Sequence, residues 1–137
     1  MTTIDIRLIR YLNLFEKITR VRSKNCFFYN NYIFFAIPSP LISKAIGEDG
    51  RNIKKLVEIL GRKIKIVGLP KDITEAEKFI SCVIEPLTFK NLEVSQGELI
   101  ITAQKQSKAS LIGRNKVRLE ELKKIVKDFF GKELKII

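Results

Sequence analysis

The chain has 137 residues, 45% hydrophobic and 30% charged, and its 26 Lys/Arg outnumber 15 Asp/Glu to give a net charge of +11. That mixture excludes a disordered tail and leaves room for one domain or two small ones. The excess positive charge calls for an anionic partner, nucleic acid before an acidic membrane surface, and the absence of histidine excludes zinc sites of the Cys/His type.

Ile4 to about Lys17 is predicted to be a helix, with Leu8, Leu12 and Phe15 on one face. Asn25–Tyr29 and Tyr32–Ile37 read as strands joined by a tight Asn30-Asn31 turn, and Pro38 and Pro40 end the second. A short helix follows at Leu41–Ile46, broken at Gly47. Asp49 is the expected N-cap of the next helix, Gly50–Leu60, whose Ile53, Leu56, Val57 and Leu60 keep helical spacing. Gly61 stops it, and Lys63–Val67 alternates as a half-buried strand does.

The order then returns. Thr74–Ile84 is a predicted helix ended by Pro86. Phe89–Ser95 and Glu98–Gln104 form a hairpin, and Ser107–Ile112 is a short helix. Val117–Phe130 is a longer one stopped by Gly131, and Glu133–Ile137 is the last strand. Ser43-Lys44-Ala45-Ile46-Gly47-Glu48-Asp49-Gly50 matches Ala109-Ser110-Leu111-Ile112-Gly113-Arg114-Asn115-Lys116 at an offset of 66 residues, and Ile33–Ile37 matches Leu99–Ala103 in the same register. A duplicated small module suits a surface that reads a repetitive polymer. The short junction at Gly68–Asp72 predicts domains at 1–68 and 69–137, packed as one rigid unit. The basic excess leans to the second copy, since Lys105–Ile137 holds ten Lys/Arg and four Asp/Glu.

Each copy reads α-β-β-α-turn-α-β. A helix, a Gly-x-x-Gly turn and a helix beside three strands resemble a KH domain, here of type II. Ile46-Gly47-Glu48-Asp49-Gly50-Arg51-Asn52-Ile53 is the most specific stretch. Tandem KH modules on a very short linker, in a chain of this length, resemble the archaeal NusA-like transcription elongation and termination proteins. The resemblance implies an α+β fold of two tandem type II KH domains. It also implies binding of single-stranded RNA, the nascent transcript, beside RNA polymerase.

The chemistry of such a turn stands apart from the family. Glycines let a sugar-phosphate strand approach the backbone, and the following helix aims unpaired amides at phosphate. The candidate RNA-binding residues are Lys44, Ile46, Gly47, Gly50, Arg51, Asn52, Lys54 and Lys55 in the first copy. In the second they are Lys108, Gly113, Arg114, Asn115, Lys116 and Arg118. Ile46, Ile53, Ile112 and Val117 are expected to floor the grooves by the KH resemblance. Glu48 and Asp49 put carboxylates between the first pair of glycines, where they repel phosphate, and Lys116 replaces the second glycine of the other copy. The aromatic run Phe27, Phe28, Tyr29, Tyr32, Phe34 and Phe35 is expected to pack core, with Tyr29 and Tyr32 the most exposed.

Catalysis is not expected. The carboxylates are dispersed, and neither a Walker-type phosphate loop nor a nucleophile motif is present. No cofactor, metal or membrane is expected, and Cys26 and Cys82 read as reduced core thiols in a cytoplasmic, monomeric protein. Two other functions fit the same residues: a KH-fold protein-interaction adaptor, and an RNA binder in ribosome assembly.

Overall fold

The structure, a computed structural model, describes residues 6–137, so the expected helix start at Ile4 lies outside the described residues. The chain divides into two compact units, the first ending at Leu69 and the second running from Pro70 to Ile137. Leu69 stays with the first because its amide donates to the Ile37 carbonyl at 2.7 Å, prolonging a strand pairing.

The first unit comprises α1 (Ile6–Thr19), β1 (Asn25–Tyr29), β2 (Tyr32–Ile37), α2 (Ile42–Ile46), α3 (Arg51–Leu60) and β3 (Lys63–Gly68). Its sheet runs β1-β2-β3, the first pair antiparallel and the second parallel. Asn30 and Asn31 take left-handed φ of 51° and 66°, which asparagine tolerates better than most residues and which closes the two-residue hairpin. The register places Cys26 opposite Phe35 and Phe28 opposite Ile33, and sets Ile64 and Ile66 beside Ile33 and Phe35. This sheet face meets the helices. Phe15 of α1 stacks on Phe35 at 4.3 Å between centroids, and Leu56 of α3 is fully buried in the same cluster. Each such side chain contributes about 1.5–3 kcal/mol by leaving water.

The opposite sheet face is aromatic too. Phe27 stacks on Phe34 at 5.0 Å, and Tyr29 meets Phe34 edge-on at 6.4 Å. Tyr29 is 3% exposed, contrary to the expectation from its place at the hairpin tip, while Tyr32 is half-buried.

The second unit repeats the order with α4 (Ala76–Ile84), β4 (Asn91–Val94), β5 (Glu98–Thr102), α5 (Lys105–Ile112), α6 (Val117–Phe130) and β6 (Glu133–Ile136). Its sheet is β4-β5-β6 with the same antiparallel and parallel pairings. Leu99, Ile101, Leu111, Leu122 and Val126 are fully buried. Helix α5 starts at Lys105, earlier than the predicted Ser107, because the Lys108 amide finds the Gln104 carbonyl at 2.7 Å. The hairpin strands are shorter than predicted at both outer ends. A 3-10 turn at Ile73–Glu75, rather than α-helix, leads into α4. Asp72 caps that turn, accepting from the Thr74 amide at 3.0 Å. Hydrogen bonds from the Thr74 hydroxyl and then its amide hold the Asp72 carboxyl below its ordinary pKa. Helices α3 and α6 both end at left-handed glycines, Gly61 and Gly131, at φ 65° and 66°.

Candidate nucleic-acid interface

Both Gly-x-x-Gly-type turns fold into one backbone shape. Gly47 and Gly113 have φ/ψ of 82°/167° and 74°/174°. This region is essentially closed to residues with a Cβ. Asp49 and Asn115 follow in left-handed conformation at 55°/28° and 55°/27°. Gly50 and Lys116 precede the helices at 71°/20° and 61°/21°. The hydrogen bonds repeat as well. The Gly47 amide donates to Ser43 at 3.1 Å and that of Gly113 to Ala109 at 3.0 Å; Gly50 donates to Gly47 at 3.1 Å and Lys116 to Gly113 at 3.2 Å.

Asp49 is thus not the N-cap its sequence position suggests. It bends the chain at positive φ, and Gly50 stands before α3 with no side chain capping the helix. Asx residues reach that conformation readily, so one residue type serves either role and the turn geometry decides.

The two glycines of the first turn do different work. A Cβ on Gly47 would sit 3.0 Å from the Asn52 side chain and 3.2 Å from its amide nitrogen. On Gly113 it would sit 2.7 Å from Cγ of Arg118 and 3.0 Å from its Cβ. A Cβ on Gly50 meets nothing closer than Lys54, at 4.0 Å. The first glycine lets the next helix close onto the turn; the second faces open space, which is how Lys116 can stand in its place.

The amides of Glu48 and Asp49 at one tip, and of Arg114 and Asn115 at the other, open a 3-10 turn and so have no carbonyl partner within it. Paired amides projecting from a turn make a concave anion seat. Around the first, Arg51, Lys54 and Lys55 are exposed on the opening turns of α3. They share a shallow depression with Glu48, Asp49 and Glu58. Three cations there face three carboxylates.

At the strict offset of 66 the second copy inverts this pattern. Glu48, Asp49 and Gly50 become Arg114, Asn115 and Lys116; Lys54 and Lys55 become Glu120 and Glu121. The first copy is acidic at its tip and basic on the opening turns of its helix, whereas the second is basic at its tip and acidic at the two matching helix positions. Arg114 and Lys116 are exposed. Arg118 is not an outward cation: it pairs with Glu121, and its side chain is 21% exposed. Asn52, its counterpart, donates through Nδ2 to the Lys44 carbonyl at 3.4 Å and so ties α2 to α3.

The remaining candidates scatter. Lys44 is exposed and Lys108 half-buried, on the helices before the turns. Ile46 and Ile112 are half-buried at the turn entrances, Ile53 packs into the first core, and Val117 is 45% exposed beside Lys116. Aligning the copies at the strict offset, rather than pairing lysines by type, is the signal that brings out the charge inversion. Among the described residues no group of His, Cys, Asp or Glu could hold a metal ion, and no disulfide joins Cys26 and Cys82. No helix among them is long and apolar enough to cross a membrane.

No protein-family model matches the chain. A protein of Halococcus morrhuae named "Probable transcription termination protein NusA" is 22% identical over 131 residues, which is 93% of this chain and 92% of that protein. A protein of the same name from Methanocaldococcus jannaschii is 27% identical over 131 residues, 93% of this chain and 68% of the relative. The crystal structure of APE1850 superposes with a TM-score of 0.67 at 26% identity, covering 98% of this chain and 100% of that one. The fold is α+β with two tandem KH-like modules, and over most of its length the chain is similar to archaeal proteins that carry the NusA name.

Proposed function

We propose that this protein binds single-stranded RNA through its two glycine turns, without catalysis, and serves transcription elongation or termination beside RNA polymerase in the cytoplasm. The observation that carries the RNA part is the duplicated turn, in which the first two amides of a 3-10 turn, without a partner inside it, lie beside exposed cations in each copy. A net charge of +11 supports a polyanionic partner. The transcription part rests on similarity to proteins named for transcription termination.

Phosphate contact makes affinity fall steeply with salt. Fluorescence anisotropy with a short single-stranded RNA, run across a salt series, reads this directly. The double variant Arg114→Glu, Lys116→Glu should lose at least about tenfold in affinity at low salt, since two phosphate contacts become repulsions. Binding that survives this change moves the contact elsewhere. A second reading, a protein-interaction adaptor, is favoured by the exposed Glu48 and Asp49 at the first tip. It prevails if no single-stranded RNA binds at low salt.

A further inference from the structure

Between α1 and β1 the chain carries a basic segment that neither glycine turn uses. From Thr19 to Lys24, burial alternates: Thr19, Val21 and Ser23 are buried, whereas Arg20, Arg22 and Lys24 are exposed. The inward residues are pinned. The Thr19 hydroxyl donates to the Phe15 carbonyl at 2.7 Å and accepts from the Val21 amide at 3.1 Å. The Ser23 hydroxyl meets the Asn25 carbonyl at 3.1 Å and the Ala36 carbonyl of β2 at 3.0 Å. Arg20 is held at φ 63°, a conformation unfavourable for a long side chain that the surrounding anchors enforce.

The three outward side chains therefore stand on a fixed backbone. None has a carboxylate partner among the described residues. Arg20, Arg22 and Lys24 recur at every second residue with a buried residue between each pair, so all three face solvent, with Arg20 set in a left-handed bend. A shallow groove runs beside the segment, lined by Leu12, Asn13 and Glu16 of α1 and by Arg22, Ser23 and Lys24. Its apolar side suits a base, and Asn13 and Glu16 offer polar atoms to a base edge. The place is separate from the turn of the same unit. Helices α2 and α3 lie against β3, at one edge of the sheet, while this segment leads into β1 at the other edge.

We propose that Arg20, Arg22 and Lys24 form a second contact for the backbone of single-stranded RNA, engaging nucleotides that a glycine turn does not hold. The proposal rests on the RNA-binding reading above. The test compares two oligouridines, one of about four nucleotides, the span of one KH site, and one about three times longer. The comb variant is Arg20→Asn, Arg22→Gln, Lys24→Gln, asparagine being chosen because it tolerates the left-handed conformation. A charge-matched control carries Lys71→Gln, Lys78→Gln and Lys90→Gln, and circular dichroism checks that both variants fold.

The comb variant should bind the longer oligomer about tenfold more weakly and flatten its salt slope by about 2, the share of three single-strand phosphates at roughly 0.7 each. Its affinity for the short oligomer should match that of the unmodified protein. An unchanged slope on the longer oligomer overturns the proposal and leaves an acidic protein as the segment's partner. An equal loss in the control overturns it too, by reducing the effect to net charge. If the unmodified protein binds neither oligomer, the RNA reading itself fails first.

Discussion

At its tip the first turn presents Glu48 and Asp49, where the second presents Arg114 and Asn115, yet the dihedral angles of matched residues agree to within 10°. The shared shape comes from residues that permit it: a glycine in the region closed to Cβ, then an Asx residue at left-handed φ. Charge is not among the requirements, so the surface of each copy is free to differ. The pair teaches that a duplicated backbone motif marks where a strand can approach, and that the side chains of each copy decide whether it is welcomed.

The largest expected effect separates geometry from charge. Gly113→Ala and Gly47→Ala should each cost about 2–3 kcal/mol, because the Cβ brings both a forbidden backbone region and a collision with the residue five positions on. Gly50→Ala should cost about 1 kcal/mol, the price of left-handed φ alone. Urea unfolding of the three variants checks the order; equal losses would erase the distinction between the two glycines.

Next in size is a transplant. Glu48→Arg with Asp49→Asn gives the first copy the second copy's tip. Affinity for single-stranded RNA should rise several-fold at low salt, the gain fading as salt screens it. No change in anisotropy titrations would take the first turn out of the RNA path.

Lys116→Gly gives the second copy the first copy's glycine. It should stabilise the fold by about 0.5–1 kcal/mol through relief of left-handed strain, and weaken RNA binding through loss of a cation. A variant that gains stability and keeps its affinity would make Lys116 a mere passenger.

The smallest effect concerns Asp72, which has no counterpart in the first unit. Its carboxyl pKa is depressed in the folded state, so its stabilising share is present above the unfolded pKa and is lost as pH falls through the folded one. Asp72→Asn should lower the thermal midpoint slightly near neutral pH and bring it level with the parent in acid.

Much of this was legible in the chain. Helix α6 occupies Val117–Phe130 as its periodicity indicates, and Asn30-Asn31 turns the first hairpin as asparagines do. Local pattern is strong where one face is apolar and glycine or proline marks the ends. It failed where tertiary contacts choose between states of similar cost. Asp49 is as competent a cap as a bend residue, and the closure of α3 on Gly47 picks the bend. Tyr29 sits at a hairpin tip, and its burial, with the Phe34 ring packed edge-on against it, comes from tertiary contacts that no local pattern encodes. At the candidate site the glycines were readable, but the engagement of Arg118 by Glu121 was not, since i,i+3 spacing permits such a pair without requiring it.

Helix α6 has 14 residues where α3 has 10, about one turn or 6 Å more. That added turn ends in Phe129 and Phe130, whose rings lie 4.7 and 6.0 Å from Phe79 of α4, ahead of Gly131. Helix ends normally fray, and their amides swap protons with solvent within seconds. Here three phenyl rings clasp the final turn, so in deuterium the amides of Val126–Phe130 should retain hydrogen far longer than the matching end of α3.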